Sequence, residues 1–239
     1  MARQARLSIA GQPHLIALRS AAGSDVFRAE DDFRFFLQCL RDAAAGRGIA
    51  VHAYALVPDR VYLLATPAAA GSLGQAMQSL GRCYVRWFNA RHARAGALWH
   101  GRYRSAVVEA EPYLLDGCRY VETLPLRVGL VADAASYPWS SLRHHLGLAG
   151  DPIVTDHPIV WALGNTPFER QSAYRVLIER PLAPARVERF DRAVAGGRAL
   201  GSAGFLAELE SRCERTLSRR ARGRPPGSGA VGKRQASRS

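Results

Sequence analysis

The chain has 239 residues, is 48% apolar and carries a formal net charge of +13. That length holds one good-sized core with an appendage, or two modest domains. No apolar run approaches the roughly 20 residues that cross a bilayer, and the N-terminus lacks the apolar stretch of a signal peptide. A cytoplasmic protein with no membrane partner is therefore expected. The four cysteines, Cys39, Cys83, Cys118 and Cys213, stand singly, which argues against structural zinc or a disulfide framework and for buried free thiols. The basic excess points to nucleic acid, because phosphate neutralisation and counterion release favour a positive surface. Lys233 is the one lysine among the 33 basic residues. A GC-rich genome produces the same bias, so the functional information lies in the sign and size of the charge.

In chain order, residues 14–18 read as a first strand. Residues 29–46 read as a helix, with Phe33, Phe36, Leu37 and Leu40 on one face and Gly46 and Gly48 as its stop. Residues 49–57 and 61–66 read as two strands separated at Pro58-Asp59, hence as antiparallel neighbours. Ser72 is a plausible N-cap for a helix to about residue 92, with Leu73, Met77, Leu80, Tyr84 and Trp87 at helical spacing. Residues 98–108 read as a further strand, and Glu111-Pro112 opens a helix that runs to Pro125. This β-α-β-β-α-β order followed by a helix is the α+β ferredoxin-like plan, an antiparallel sheet with helices on one face.

Beyond Trp139 the character changes. Thr166-Pro167-Phe168-Glu169 is a capping box that starts a helix to about residue 180. Helices over 184–195 and 202–219 follow, separated by Gly196-Gly197. From residue 220 the chain is Arg, Gly, Pro and Ser without apolar periodicity, a composition expected to be disordered alone. The expected organisation is a domain over 1–150, a helical extension over 151–219 and a basic tail over 220–239.

Several segments, in order, carry a family resemblance. Tyr54 to Leu64, YALVPDRVYLL, resembles the segment (M/V)-P-(N/D)-H-hydrophobic-H-hydrophobic-L of the single-tyrosine transposases of small bacterial insertion sequences and their REP-associated relatives. His14 to Arg19 fits the opening Y-H-(V/I)-x-x-R-G, and GALWHGRYRSAVVE (96–109) fits G-x-L-F/W-Q-x-R-Y-x-x-x-x-V. CRYVETLPLRVGLV (118–131) resembles R-Y-(I/V)-H-x-N-P-(V/L)-R-x-G-L-V. YPWSS (137–141) and ALGSAGFLAEL (199–209) match downstream tags, so the likeness spans about 1–219. The resemblance implies a dimeric protein that recognises hairpins at element ends. It also implies a tyrosine that attacks a metal-activated phosphate to form a 5′-phosphotyrosine link. Tyr120 falls at the nucleophile position. Tyr103, expected on a neighbouring strand close to the same face, is the second candidate.

The departures concern the metal. Arg60 and Tyr62 stand where the family has its two histidine ligands, Leu124 where it has a polar Asn or Gln, and Glu122 where it has a neighbouring His. A guanidinium has no lone pair to offer, and a phenol of pKa about 10 is a poor ligand at neutral pH. Glu122, Asp59 and Asp116 are the carboxylates from which a different oxygen site would be built. The expectation is that no cofactor is bound, with Mg²⁺ or Mn²⁺ required only if cleavage survives. Arg60 would then hold a phosphate without activating a nucleophile, or else form a surface ion pair, with Glu122 as one candidate.

The arginines give a second line to single-stranded or hairpin DNA. Arg82, Arg86, Arg91 and Arg94 accompany Tyr84, Trp87 and Phe88, and Arg102 and Arg104 flank Tyr103. Guanidinium groups beside aromatics suit a strand with unstacked bases. Arg222-Gly223-Arg224-Pro225 matches the core of a minor-groove AT-hook. Two alternatives stay open: an active transposase, and a double-strand-binding regulator using 185–195 and 202–219 as a helix-turn-helix. His144 and His145 read as surface residues.

Overall fold

The computed structural model describes residues 7–213. Its elements are β1 (His14–Arg19), α1 (Glu30–Ala45), β2 (Ile49–Val57), β3 (Arg60–Pro67), α2 (Ser72–Arg91), β4 (Arg104–Val107) and α3 (Ala110–Glu122). After these come α4 (Leu124–Arg127), α5 (Leu142–His145), α6 (Pro158–Trp161), α7 (Pro167–Glu179), α8 (Pro184–Gly196) and α9 (Ala203–Cys213). The sheet order is β2-β3-β1-β4 with every pair antiparallel. With α1 and α2 together on one face, this is the ferredoxin-like plan. Among the described residues no helix is long and apolar enough to cross a membrane.

Strand periodicity divides the side chains between two cores. Ile16, Leu18, Tyr54, Leu56, Val61 and Leu63 face α1 and α2, meeting Phe36, Leu40, Leu80 and Tyr84. Leu15, Ala17, Ala53, Ala55, Tyr62 and Leu64 point the other way. The expectation of helices on one face describes α1 and α2, but the second face is covered as well. There α3 supplies Leu114, Cys118 and Val121, α7 supplies Tyr174, and α8 supplies Phe190 and Val194. Small side chains permit the close approach: a Cβ on Gly117 of α3 would stand 3.2 Å from a Leu64 methyl. Burial on both faces explains why β2 and β3 read as nearly unbroken apolar runs.

Two elements differ from the sequence reading. The strand expected over 98–108 is confined to Arg104–Val107. Gly101, at φ +71°, turns the chain just before it. The helix expected to reach Pro125 ends at Glu122 and restarts as α4. Pro125 cannot donate the N–H that would continue α3, and its ring crowds the turn before it. Of the thiols, Cys39 and Cys118 are buried as expected, whereas Cys83 is exposed on α2. Arg222 and Arg224 lie outside the described residues.

Candidate nucleic-acid interface

The β-ladder registers align several of the candidate side chains. Tyr62 of β3 stands opposite Ala17 of β1, which stands opposite Arg104 of β4. One step toward the sheet end, Arg60 stands opposite Arg19. Period two places Arg60, Tyr62, Arg19 and Arg104 on the face that carries α3. Like charges directly across a ladder repel, and Asp59 offsets the Arg60–Arg19 pair. Its carboxylate accepts from Arg60 Nε at 2.8 Å and Nη2 at 2.6 Å, a two-pronged, charge-assisted contact. Hydrogen bonding and attraction from Arg60, with a further contribution from Arg19, hold the Asp59 carboxyl below the usual range despite partial burial. Arg60 is therefore paired with Asp59, not with Glu122. Arg19 is exposed and donates to the Tyr62 hydroxyl at 3.1 Å.

Tyr120 lies on α3 over this row. Its ring meets Tyr62 edge-on at 5.6 Å and stacks on Phe190 of α8 at 4.9 Å. The Arg127 guanidinium caps the ring 4.1 Å from its centroid. The hydroxyl donates to Asp191 at 2.6 Å. Only 1% of Tyr120 is exposed. Burial above all, then the neighbouring Tyr62 and the Asp191 carboxylate, pushes its pKa well above the ordinary tyrosine value. The phenol is thus held neutral, and its burial leaves a phosphate no path to the hydroxyl in this arrangement. Tyr103 is half-buried just before β4 and packs with the α1–α2 core. The two candidate tyrosines sit on opposite faces of the sheet, not on a shared one, because Tyr103 alternates with Arg104.

The donors at the position the resemblance assigns to a metal do not fit one. Arg60 is a cation, the Tyr62 hydroxyl accepts from Arg19, and Leu124 is buried in the core. Glu122 is fully buried and faces away: it accepts from Ser141 Oγ at 2.5 Å, from the Tyr174 hydroxyl at 2.5 Å and from His145 Nδ1 at 2.7 Å. Asp116 pairs with Arg119 at 2.8 Å and with Arg186 at 2.6 Å. The three carboxylates that would have formed an oxygen site are therefore held apart. Among the described residues, no group of three or more His, Cys, Asp and Glu is placed to share an ion.

His145 is buried rather than on the surface as expected. Burial alone would lower its pKa, but Glu122 at 2.7 Å and Asp156 at 3.3 Å outweigh that and push it up to about 10. The same histidine pair pulls the Asp156 carboxyl down, chiefly through hydrogen bonds from His144 and His145. The network ties α3 to α5 and α7.

The remaining predicted arginines fall into two groups. Arg102 and Arg104 are exposed beside Arg19, and Arg104 donates to the Ala195 carbonyl at the end of α8. Arg82, Arg86, Arg91 and Arg94 lie with α2 on the opposite side of the sheet. Arg91 pairs with Asp31 at 2.9 Å, and Arg94 lies 5.9 Å from the Phe88 ring centre. Tyr84 and Phe88 are fully buried, and Trp87 stacks on Phe35 at 4.4 Å, so these rings serve the core. The proposed helix-turn-helix pair is not docked as one. α8 lies on β4, β1 and α3, while Leu209 of α9 packs with Leu7, Ile9 and Val107.

Four participants were not singled out from the sequence: Arg19, Arg127, Phe190 and Asp191. Arg19 and Arg127 stood inside quoted motifs and carried a signal. Phe190 and Asp191 carried none, because their roles depend on how α8 folds back.

No family profile matches the chain, and no curated protein matches it. Among solved structures, a REP-associated tyrosine transposase bound to a REP hairpin is similar at 14% identity with a TM-score of 0.51. The match covers 66% of this chain and 92% of that one. A Deinococcus radiodurans R1 protein provisionally assigned as a transposase is 21% identical over 51% of this chain and 96% of that one, with a TM-score of 0.34. The first likeness is one of fold: the four-stranded antiparallel sheet and its helices are arranged similarly to those of a tyrosine transposase.

Proposed function

We propose that this chain is a transposase-like protein that binds single-stranded or hairpin DNA along the arginine-rimmed end of its sheet and does not cut it. The observation that carries the reading is a cationic row at the positions where the resemblance leads one to expect metal ligands. Arg60 and Arg19 face each other across β3 and β1, Arg104 flanks them, and Tyr120 lies buried behind them. Such a row neutralises backbone phosphates and is sequence-tolerant. It cannot polarise a scissile phosphate as a divalent ion does. The fold similarity to a transposase that binds a hairpin supports the same ligand class here.

The test incubates purified protein with labelled hairpin and single-stranded DNA, with Mn²⁺ or with chelator, on native and denaturing gels. Salt-sensitive binding without a covalent band in any metal is the expected result. A metal-dependent covalent band that Tyr120→Phe abolishes would establish an active transposase instead. A preference for duplex would favour a double-strand regulator.

A further inference from the structure

Beside Tyr62, the sheet end carries a small cavity of about 210 Å³ lined by Ala17, Arg19, His100, Arg102, Arg104, Val194 and Ala195. We propose that it is a pocket for a phosphate monoester, and that its natural occupant is the terminal phosphate of a DNA strand lying on the arginine row. The proposal rests on the DNA-binding reading above and adds to it a preference for how the strand ends.

Three observations carry it. The first is charge. Three guanidinium groups converge on a volume below that of a drug-sized ligand site. The nearby Asp59 carboxylate is already engaged by both prongs of Arg60. A monoester carries about −1.5 to −2 charges at neutral pH, against one for each internal backbone phosphate. The pocket therefore discriminates by charge in favour of an end.

The second is donor geometry. Arg19 contributes one N–H to Tyr62 and Arg104 contributes one to Ala195. Each guanidinium has five N–H donors, so most remain for an anion. The Arg104 contact also answers an objection: α8 ends at this cavity, and a helix C-terminus repels anions. The guanidinium neutralises the carbonyl that would otherwise face the ligand.

The third is position. Ala17, on the cavity wall, lies between Tyr62 and Arg104 in the ladder. A strand running along Arg60 and Arg19 thus meets the cavity at the edge of its path. The rest of the lining includes the small side chains of Ala17, Val194 and Ala195, which leave room for a phosphate.

The test compares oligonucleotides of one sequence with a 5′-phosphate, a 3′-phosphate or hydroxyl at both ends, by fluorescence anisotropy at fixed salt. Wild-type protein is expected to bind one phosphorylated form about tenfold more tightly than the hydroxyl form, the scale of charged hydrogen bonds. Inorganic phosphate should compete with that form preferentially. In Arg19→Gln and in Arg102→Gln the ratio should fall toward one, whereas the double variant Asp59→Asn, Arg60→Ala, which frees no carboxylate beside Arg19, should weaken all forms and keep the ratio. Melting curves check that the variants fold, and the wild-type ratio decides without them. Equal wild-type affinities for all ends, with no effect of inorganic phosphate, would overturn the proposal. If no oligonucleotide binds, the DNA-binding reading fails. Broadening of the ³¹P signal of inorganic phosphate by wild type, lost in Arg102→Gln, would then keep the pocket and assign it to a small free phosphate. Absence of that broadening would overturn the pocket too.

Discussion

Replacing Glu122 by glutamine should remove much of the stability that the buried His145 contributes, and should change its dependence on pH. A histidine ordinarily titrates near 6.5, and His145 is pushed up to about 10 in the folded protein. A group whose pKa is raised on folding stabilises fully below its unfolded value and loses that contribution as pH rises through its folded value. The contribution is several kcal/mol at pH 7 and falls to less than half of that by pH 9. Glutamine keeps the shape but loses the charge: with its carbonyl oxygen toward Ser141 and His145, its NH2 faces the Tyr174 hydroxyl and cannot accept from it. Asp156 still faces His145 at 3.3 Å, so part of the elevation survives. The expected loss is about 2–4 kcal/mol at pH 7, in line with removal of one member of a buried pair. Urea denaturation of both proteins at pH 6, 7.5 and 9 would measure it. Wild type should weaken across this range, and Glu122→Gln should weaken less steeply from a lower start. A loss below about 1 kcal/mol, or an unchanged pH slope, would refute the charged-network account.

Three further outcomes follow from the same geometry. Arg60→Ala should weaken single-strand binding and reduce the slope of log affinity against log salt by about 0.7, the value of one phosphate contact; an unchanged slope in a salt titration would remove Arg60 from the interface. Tyr120→Phe should leave DNA binding intact and cost about 0.5–1.5 kcal/mol for the lost bond to Asp191, measured by chemical denaturation. Phe190→Ala should cost about 3–5 kcal/mol, because the ring is fully buried against Tyr120 and Tyr113. A loss under 1 kcal/mol in thermal or urea melts would mean that α8 is not part of the core.

The strands and the long helices were legible because each has one period and one apolar face. β2 occupies Ile49–Val57 as read, α2 spans Ser72–Arg91, and the Thr166–Glu169 capping box starts α7. The second layer was not legible, since helices that fold back onto a sheet leave no local mark on it. For the same reason His145 read as a surface residue: its two acidic partners lie 23 positions before it and 11 after it, and proximity to Glu122 requires α3 and α5 to pack. That Arg60 offers no metal donor was readable directly, because a guanidinium cannot coordinate wherever it lies. What Arg60 does instead required coordinates, as did the separation of Tyr103 from Tyr120. That separation comes from strand alternation, which a strand drawn over 98–108 had obscured.

The return of α8 to the sheet has a practical consequence for where this chain can be cut. Phe190, Ala193 and Val194 are buried against strands laid down more than 70 residues earlier. A fragment ending before residue 184 would present Tyr113, Leu114, Tyr120 and the inner row of the sheet to water, a contiguous apolar surface of the kind that drives aggregation. The connection between α7 and α8 is largely exposed, so a protease that nicks it should leave the two pieces associated until denaturant parts them. The smallest soluble piece worth expressing keeps the strand pairing and the return helix together, and so extends past Leu200, whose carbonyl accepts from the Glu109 N–H at 2.8 Å.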